Sequence, residues 1–353
     1  MKKIYYITAV FATLFLVGCG DGIDLPGVNV ETDLNKIPLP DNNVNLEQVE
    51  LKPSTEPMLH EGLHTEEDFQ RIRDKKAAGE EPWVSAYQLL VESQFSQKTA
   101  DTYPTEWIKR GISGDENYMN AARGATIVYQ QALRWKIEQD DEYAAKAVEN
   151  LNKWVQTCVG VTGNTNLSLA AGLYGYEFAI AGELLRDYGG WDRADFAAFQ
   201  NWLLKVFYPA NDDFLKRHHD TNALHYWANW CLCNIAAKMA IGIVTDRRDI
   251  YNEGIAHLQT GDTNGRLRRA IYHDYAPDYN FAQWQESGRD QGHTLMCVGL
   301  MGIICQLAWS QGDDFFAYDD NLFLRACEYA ACCNYTNETV PYTTSVSYTH
   351  LTL

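Results

Sequence analysis

Apolar positions recur at helical spacing through most of the chain. Met119, Ala122, Ala125, Tyr129 and Ala132 fall on one stripe, and Tyr143, Ala147, Leu151, Trp154 and Val155 on a second. Phe196, Phe199, Trp202, Leu203 and Val206 form a third behind Asp192, which predicts a capped helix there. Residues 226–244 and 295–309 are apolar nearly all round and read as inner helices, while residues 169–188 are rich in Gly and Ala and can approach neighbours closely. Asp246 is expected to cap an amphipathic outer helix carrying Ile250, Ile255 and Leu258, and residues 322–333 supply a last helix. Thr65-Glu66-Glu67-Asp68 resembles a capping box ahead of Phe69 and Ile72. No sustained period-2 alternation marks a strand. Helices apolar all round alternate with amphipathic ones, which predicts concentric layers. The expected fold is all-α, an (α/α) toroid or barrel of helical hairpins. A helical-repeat array is the neighbouring architecture, but no fixed-period self-similarity is present.

The ends of the chain read differently. Lys2 and Lys3 precede an apolar run over residues 4–17, too short to span a bilayer, and Leu16-Val17-Gly18-Cys19 matches the bacterial lipobox. Residues 1–18 are therefore expected to be a lipoprotein signal peptide, with Cys19 lipidated and residues 19–57 a flexible tether rich in Asp, Asn and Pro. That places the protein in the cell envelope, on the periplasmic face or the outer-membrane surface, with membrane contact only through the lipid. Residues 58–343 read as one domain, and residues 344–353 as a foreign or truncated tail that leaves the barrel short.

Charge narrows the partners. A formal net charge of −18 disfavours nucleic acid, and any polyanionic substrate needs local positive charge to be held. The eight cysteines after Cys19 sit mostly in apolar helical patterns with neither disulfide-framework nor zinc-type spacing. No metal and no cofactor are expected.

Three polar clusters carry candidate chemistry. The first holds His219, Asn222, His225, Asn229 and Trp230; on a helix, His225 and Asn229 would share a face. Imidazole, amide and indole together suit a sugar site. The second, Arg266 to Tyr275 by number 266–275, is the densest basic patch, with Tyr272, Tyr275 and Tyr279 interleaved. Nearby cations lower a phenol's pKa, which makes it usable as a base. The third is Gln285-Glu286-Ser287-Gly288-Arg289-Asp290-Gln291-Gly292-His293, whose density of acid, amide, guanidinium and imidazole no packed core requires. If that segment is helical, Glu286, Arg289 and His293 stack over successive turns. Together these groups suit β-elimination on a uronic-acid polymer: Asn, His or Arg neutralises the C5 carboxylate, a Tyr or His removes the C5 proton, and an acid protonates O4.

The stretch Asn222 to Trp230, followed by Val244-Thr245-Asp246-Arg247-Arg248-Asp249, resembles the alginate lyase superfamily of (α/α) barrels. Arg269-Ala270-Ile271-Tyr272-His273-Asp274-Tyr275 resembles that family's Arg…Tyr catalytic segment, which implies Tyr275 for proton transfer and Arg269 as its charge partner. His225 or His219 is implied as the catalytic imidazole, because Leu224 stands where the family has its histidine. Asn222, Asn229, Trp230, Gln285, Glu286, Arg289, Gln291 and His293 are expected to bind substrate, an anionic polysaccharide of alginate, polymannuronate or glucuronan type. The Glu286 to His293 run, with Ala308-Trp309 and Gln311-Gly312-Asp313, is similar to the Bacteroidetes lipoprotein lyases of polysaccharide lyase family thirty-eight. Two other readings stay open. An inverting glycoside hydrolase would draw two acids from Asp213, Asp220, Glu286 and Asp290, spaced roughly 6.5–9.5 Å apart; a glycan-binding lipoprotein would need none of this chemistry.

Overall fold

Helix starts are written locally, by short polar side chains that take up orphan backbone N–H groups. In a computed structural model describing residues 57–336 and 339–344, α1 (Glu66–Ala77) opens on a full capping box: Thr65 Oγ1 accepts from Asp68 N at 3.2 Å and Asp68 Oδ2 from Thr65 N at 2.9 Å. After α2 (Trp83–Glu92) and strand β1 (Trp107–Arg110) come α3 (Tyr118–Glu138) and α4 (Asp141–Thr157). Asp140 caps α4 through Glu142 N, and Asp192 caps α6 (Arg193–Val206) through Ala194 N. Between these lie strand β2 (Gly160–Gly163) and the Gly/Ala-rich α5 (Leu167–Leu185). Helix α7 (Tyr208–Arg217) leads through a loop to α8 (Ala228–Val244) and α9 (Arg248–Thr260). A short turn of helix α10 (Leu267–Ala270), the strands β3 (Ile271–Asp274) and β4 (Ala282–Trp284), α11 (Gln291–Ser310) and α12 (Tyr318–Tyr335) complete the order.

The inner helices α3, α5, α8 and α11 pack in sequence, and α4, α6, α9 and α12 lie outside them. This is an (α/α) toroid of helical hairpins, as the periodicity predicts. Close approach is enforced at α5: a Cβ on Gly172 would sit 2.5 Å from Cys233 Sγ, and one on Gly182 would sit 2.1 Å from the Phe199 ring. Only glycine lets α5 meet α8 and α6 at those distances. Helix α11 is long and apolar enough to cross a membrane by length and composition, yet most of it is buried in the core.

The inner helices run in the same direction. At their C-terminal ends Arg186 holds Glu183 Oε2 at 2.8 Å and the Val244 carbonyl at 2.9 Å, tying the foot of α5 to that of α8. Gln311 at the foot of α11 donates to the carbonyls of Leu59 and Glu61 and accepts from Leu59 N, so the incoming strand is sewn across this base. Their N-terminal ends open on the opposite side, among loops. That end is called the mouth below.

Two short strand pairs accompany the helices: β1 and β2 form a parallel pair with Arg110 beside Gly163, and β3 and β4 an antiparallel pair bulged at Tyr272. Two expectations change. Asp246 does not cap α9; it takes a left-handed conformation (φ 57°) and accepts from His60, and Arg247 is the residue at the cap. Helix α8 starts at Ala228 rather than at residue 226. The lipobox with Cys19, the tether and the last nine residues lie outside the described residues.

Candidate active site at the mouth of the toroid

The loop between α7 and α8 builds one wall. His218, His219 and Asp220 take successive left-handed conformations (φ 48°, 53° and 58°), which turns the chain back on itself where no glycine is present. The reversal sends the two imidazoles opposite ways. His218 goes into the core against Cys231 Sγ at 3.5 Å, and burial pushes its pKa down to about 4, so it stays neutral. His219 faces the start of α5, with Nε2 3.0 Å from Ser168 Oγ. The Tyr226 ring lies between them and the rest of the loop: its centroid is 5.7 Å from His219, 4.9 Å from His225 and 4.7 Å from Trp230. Burial raises the pKa of its hydroxyl. Asn222 shapes the loop by accepting from Leu224 N at 2.8 Å.

His225 and Asn229 do not share a helical face. The helix starts after His225, which is exposed; Asn229 is 3% exposed and points at Met296 Sδ, with its own Oδ1 buried and unpartnered. Asn229 thus belongs to the α8–α11 interface immediately beneath the mouth.

The second wall is the segment before α11, and its role differs from the expected one. Gln285 Oε1 accepts from Ala228 N at 2.9 Å and Glu286 Oε1 from Asn229 N at 3.2 Å. These side chains cap α8 from another part of the chain, because neither Trp227 nor its neighbours bring a local capping group. Glu286 is fully buried, which raises its pKa; its other oxygen meets Arg289 Nη1 at 3.4 Å. Arg289 in turn lies over the Trp227 ring, 5.4 Å from its centroid. Asp290 caps α11 by accepting from His293 N and also holds His293 Nδ1 at 2.6 Å. Glu286, Arg289 and His293 therefore do not stack on one helix: a 3-10 turn (Gln285–Gly288) precedes the cap, and α11 begins only at Gln291. Gln291 is exposed and, with Ser287, Thr294, Tyr329 and Tyr342, lines a cavity of about 360 Å³ beside the mouth.

Side chains already take the N–H groups of Ala228 and Asn229 at the start of α8 and that of His293 at the start of α11.

The second sequence cluster divides. Arg269 donates to the Asp262 carbonyl and makes no contact with Tyr275, so the expected charge pair is not formed. Tyr275, at the turn end of the β3–β4 hairpin, donates to Gln283 Oε1 at 2.6 Å and lies 3.1 Å from Thr343 Oγ1. It packs with Phe281, Tyr329 and Cys332 in a small cluster separate from the main core. Among the described residues it is in hydrogen-bond or ring contact with neither His219 nor His225. Strand β3 pairs with β4 and leads the chain back to Gln285.

The acids proposed for a hydrolase are committed elsewhere. Asp213 and Asp220 both bind Arg217, Glu286 caps α8 and Asp290 caps α11. Among the described residues no group of three His, Cys, Asp or Glu side chains is placed to hold a metal ion. The eight described cysteines are free thiols. Tyr226 and Ser168 were not singled out by the sequence reading. Tyr226 had a signal, standing between His225 and Trp227; Ser168 had none, since its relation to His219 exists only in three dimensions.

Comparison with known proteins adds the ancestry. The family described as alginate lyase matches residues 73–338. No curated protein sequence matches the chain. Among solved structures, a histidine-to-alanine variant of alginate lyase A1-III complexed with tetrasaccharide superposes with a TM-score of 0.59 at 14% identity, covering 80% of this chain and 82% of that one. Alginate lyase A1-III from Sphingomonas species A1 gives 0.54 at 14% identity, over 78% and 80% of the two chains. An alginate lyase from Bacteroides ovatus gives 0.52 at 14% identity, over 77% and 82%. At this identity the structural likeness carries the fold.

Proposed function

The chain belongs to the alginate lyase family and is a polysaccharide lyase, and we propose that it cleaves an alginate-type uronan by β-elimination at the mouth of the toroid. The observation that carries this reading is the meeting of His219 and His225 around Tyr226, on a wall facing Arg289, within a chain of that family. The relatives' crystals with a tetrasaccharide support an oligosaccharide-sized cleft in this fold. In the reaction a base takes the C5 proton, the C5–H electron pair becomes the C4–C5 double bond, and the C4–O4 bond breaks as O4 gains a proton. The imidazoles of His219 and His225 transfer protons. Asn222, Arg289 and His293 neutralise the C5 carboxylate, and Trp230 and Gln291 border the sugar. A phenol completes the set: Tyr275 by resemblance to the family's segment, Tyr226 by position. Mannuronate-rich alginate is the first substrate to test and glucuronan the second. A place in polysaccharide lyase family thirty-eight, and a lipid anchor at Cys19 holding the enzyme in the cell envelope, belong to the same proposal.

The test is direct. Alginate, polymannuronate, glucuronan and hyaluronan are each incubated with the protein while ultraviolet absorbance of the unsaturated product is followed. Absorbance growing with at least one uronan is expected; reducing ends without absorbance would mean hydrolysis and end the proposal. Two substitutions separate the phenols. Turnover lost in Tyr275→Phe but kept in Tyr226→Phe assigns proton transfer to the hairpin, and the reverse assigns it to the α7–α8 loop.

A further inference from the structure

Arg110 ends strand β1 at the rim of the mouth, where the parallel pairing with β2 sets it beside Gly163. A Cβ on Gly163 would lie 1.7 Å from the Arg110 carbonyl, so glycine alone permits this approach. The guanidinium rests over the Tyr118 ring, 4.6 Å from its centroid, and Tyr118 stacks on Tyr174 at 6.5 Å, joining the top of α3 to α5. Its Nη1 is buried with no hydrogen-bond partner, and the side chain forms no ion pair among the described residues. The nearby acids are engaged: Asp115 with Lys109, and Glu116 with Gly111 N. In a chain of net charge −18 a buried guanidinium nitrogen facing no acceptor is conspicuous, since such a group is costly to leave unsatisfied.

Its location relates it to the catalytic wall. The turn joining β2 to α5 lies between the two, and Asn164 in that turn lies against Gly111, the residue after Arg110. Ser168, at the start of α5, then reaches His219. Arg110 therefore flanks the same opening as the histidines, one turn of chain away.

We propose that Arg110 is a carboxylate-binding residue of the mouth, taking the carboxylate of a uronate unit next to the one that lies against His219 and His225. The inference rests on the uronan reading and extends it. With Nη1 buried, the side of the planar guanidinium left to a carboxylate is its Nε–Nη2 edge, which offers two parallel N–H donors. The Tyr118 and Tyr174 rings beneath it hold the fork in place, so little side-chain freedom is lost on binding.

The experiment compares binding of a mannuronate tetrasaccharide and its carboxyl-reduced counterpart by titration calorimetry, for the unaltered chain and for Arg110→Gln and Arg110→Lys. The expected result is a loss of about tenfold to a hundredfold in affinity for the charged tetrasaccharide in Arg110→Gln, the range for one charge-assisted hydrogen bond. Arg110→Lys should recover part of it, and the carboxyl-reduced sugar should bind all three alike. Unchanged affinity for the charged sugar in Arg110→Gln overturns the proposal, as does an equal loss for both sugars, which marks a merely structural role. An unaltered chain that binds neither sugar also overturns it. A chain that binds the charged sugar but yields no unsaturated product defeats the lyase reading alone.

Discussion

The two ends of the helical ring use the same residue types in opposite ways. At the base, Arg186 spends its guanidinium on Glu183 and on the last carbonyls of α8, and Gln311 binds both sides of the incoming strand. At the mouth, Arg110 Nη1, Asn229 Oδ1 and Ser287 Oγ are buried without partners, and His225 stands exposed. An arginine is structural at one end and available at the other, and residue identity does not distinguish the two. What distinguishes them is whether every donor and acceptor has been matched. Matched groups hold the base together, and the mouth carries several of the unmatched ones.

This contrast can be broken by substitution. The largest effect is expected for His219→Ala or His225→Ala at the mouth: whichever imidazole transfers the proton should lose about 10²- to 10⁴-fold in kcat, with denaturant unfolding little changed. Next comes the base. Arg186→Ala leaves the buried Glu183 carboxylate unpaired and should lower stability by about 3–5 kcal/mol in a urea titration. A loss below about 1 kcal/mol would show that the base is not held as described. Glu286→Gln tests a residue that belongs to both ends of the argument. It keeps one acceptor for the cap on α8 but removes the charge facing Arg289, and about 1–3 kcal/mol of destabilisation is expected.

The smallest effect concerns pH. Glu177 on α5 has a buried, unpartnered Oε2, and burial pushes its pKa from 4.5 up to about 8. The folded chain thus holds this proton more tightly than the unfolded one. Its contribution to stability is complete below about pH 4.5 and is lost as pH rises through 8. Glu177→Gln should therefore raise the thermal midpoint at pH 8 and leave it unchanged at pH 4. Equal shifts at both pH values would remove the titration from the account.

Most of the architecture was legible in the chain because helices write their own periodicity and caps. The box at Thr65 and the cap at Asp192 are local facts, and the structure keeps them; of the stripe on α3, Ala125 and Ala132 are buried and Ala122 and Tyr129 partly so, while Met119 is exposed. The site was less legible, for a physical reason. Gln285 and Glu286 looked like ligand-binding groups because their partners, the N–H groups of Ala228 and Asn229, lie 57 residues away. Asp246 looked like a cap, but the nearby His60 and Arg186 claim its carboxylate instead. Arg269 and Tyr275 looked like a pair because they are close in sequence, yet the hairpin and the Asp262 carbonyl divert them. Arg110 went unmarked, since no local pattern records that a side chain lacks a partner.

The capping of α8 by residues from the α11 approach has one further consequence. The Arg289-bearing connection is hydrogen-bonded to the first residues of α8, so it cannot be exchanged whole without uncapping a core helix. Grafting specificity from another lyase onto this connection would have to keep Gln285 and Glu286, or acceptors in their place.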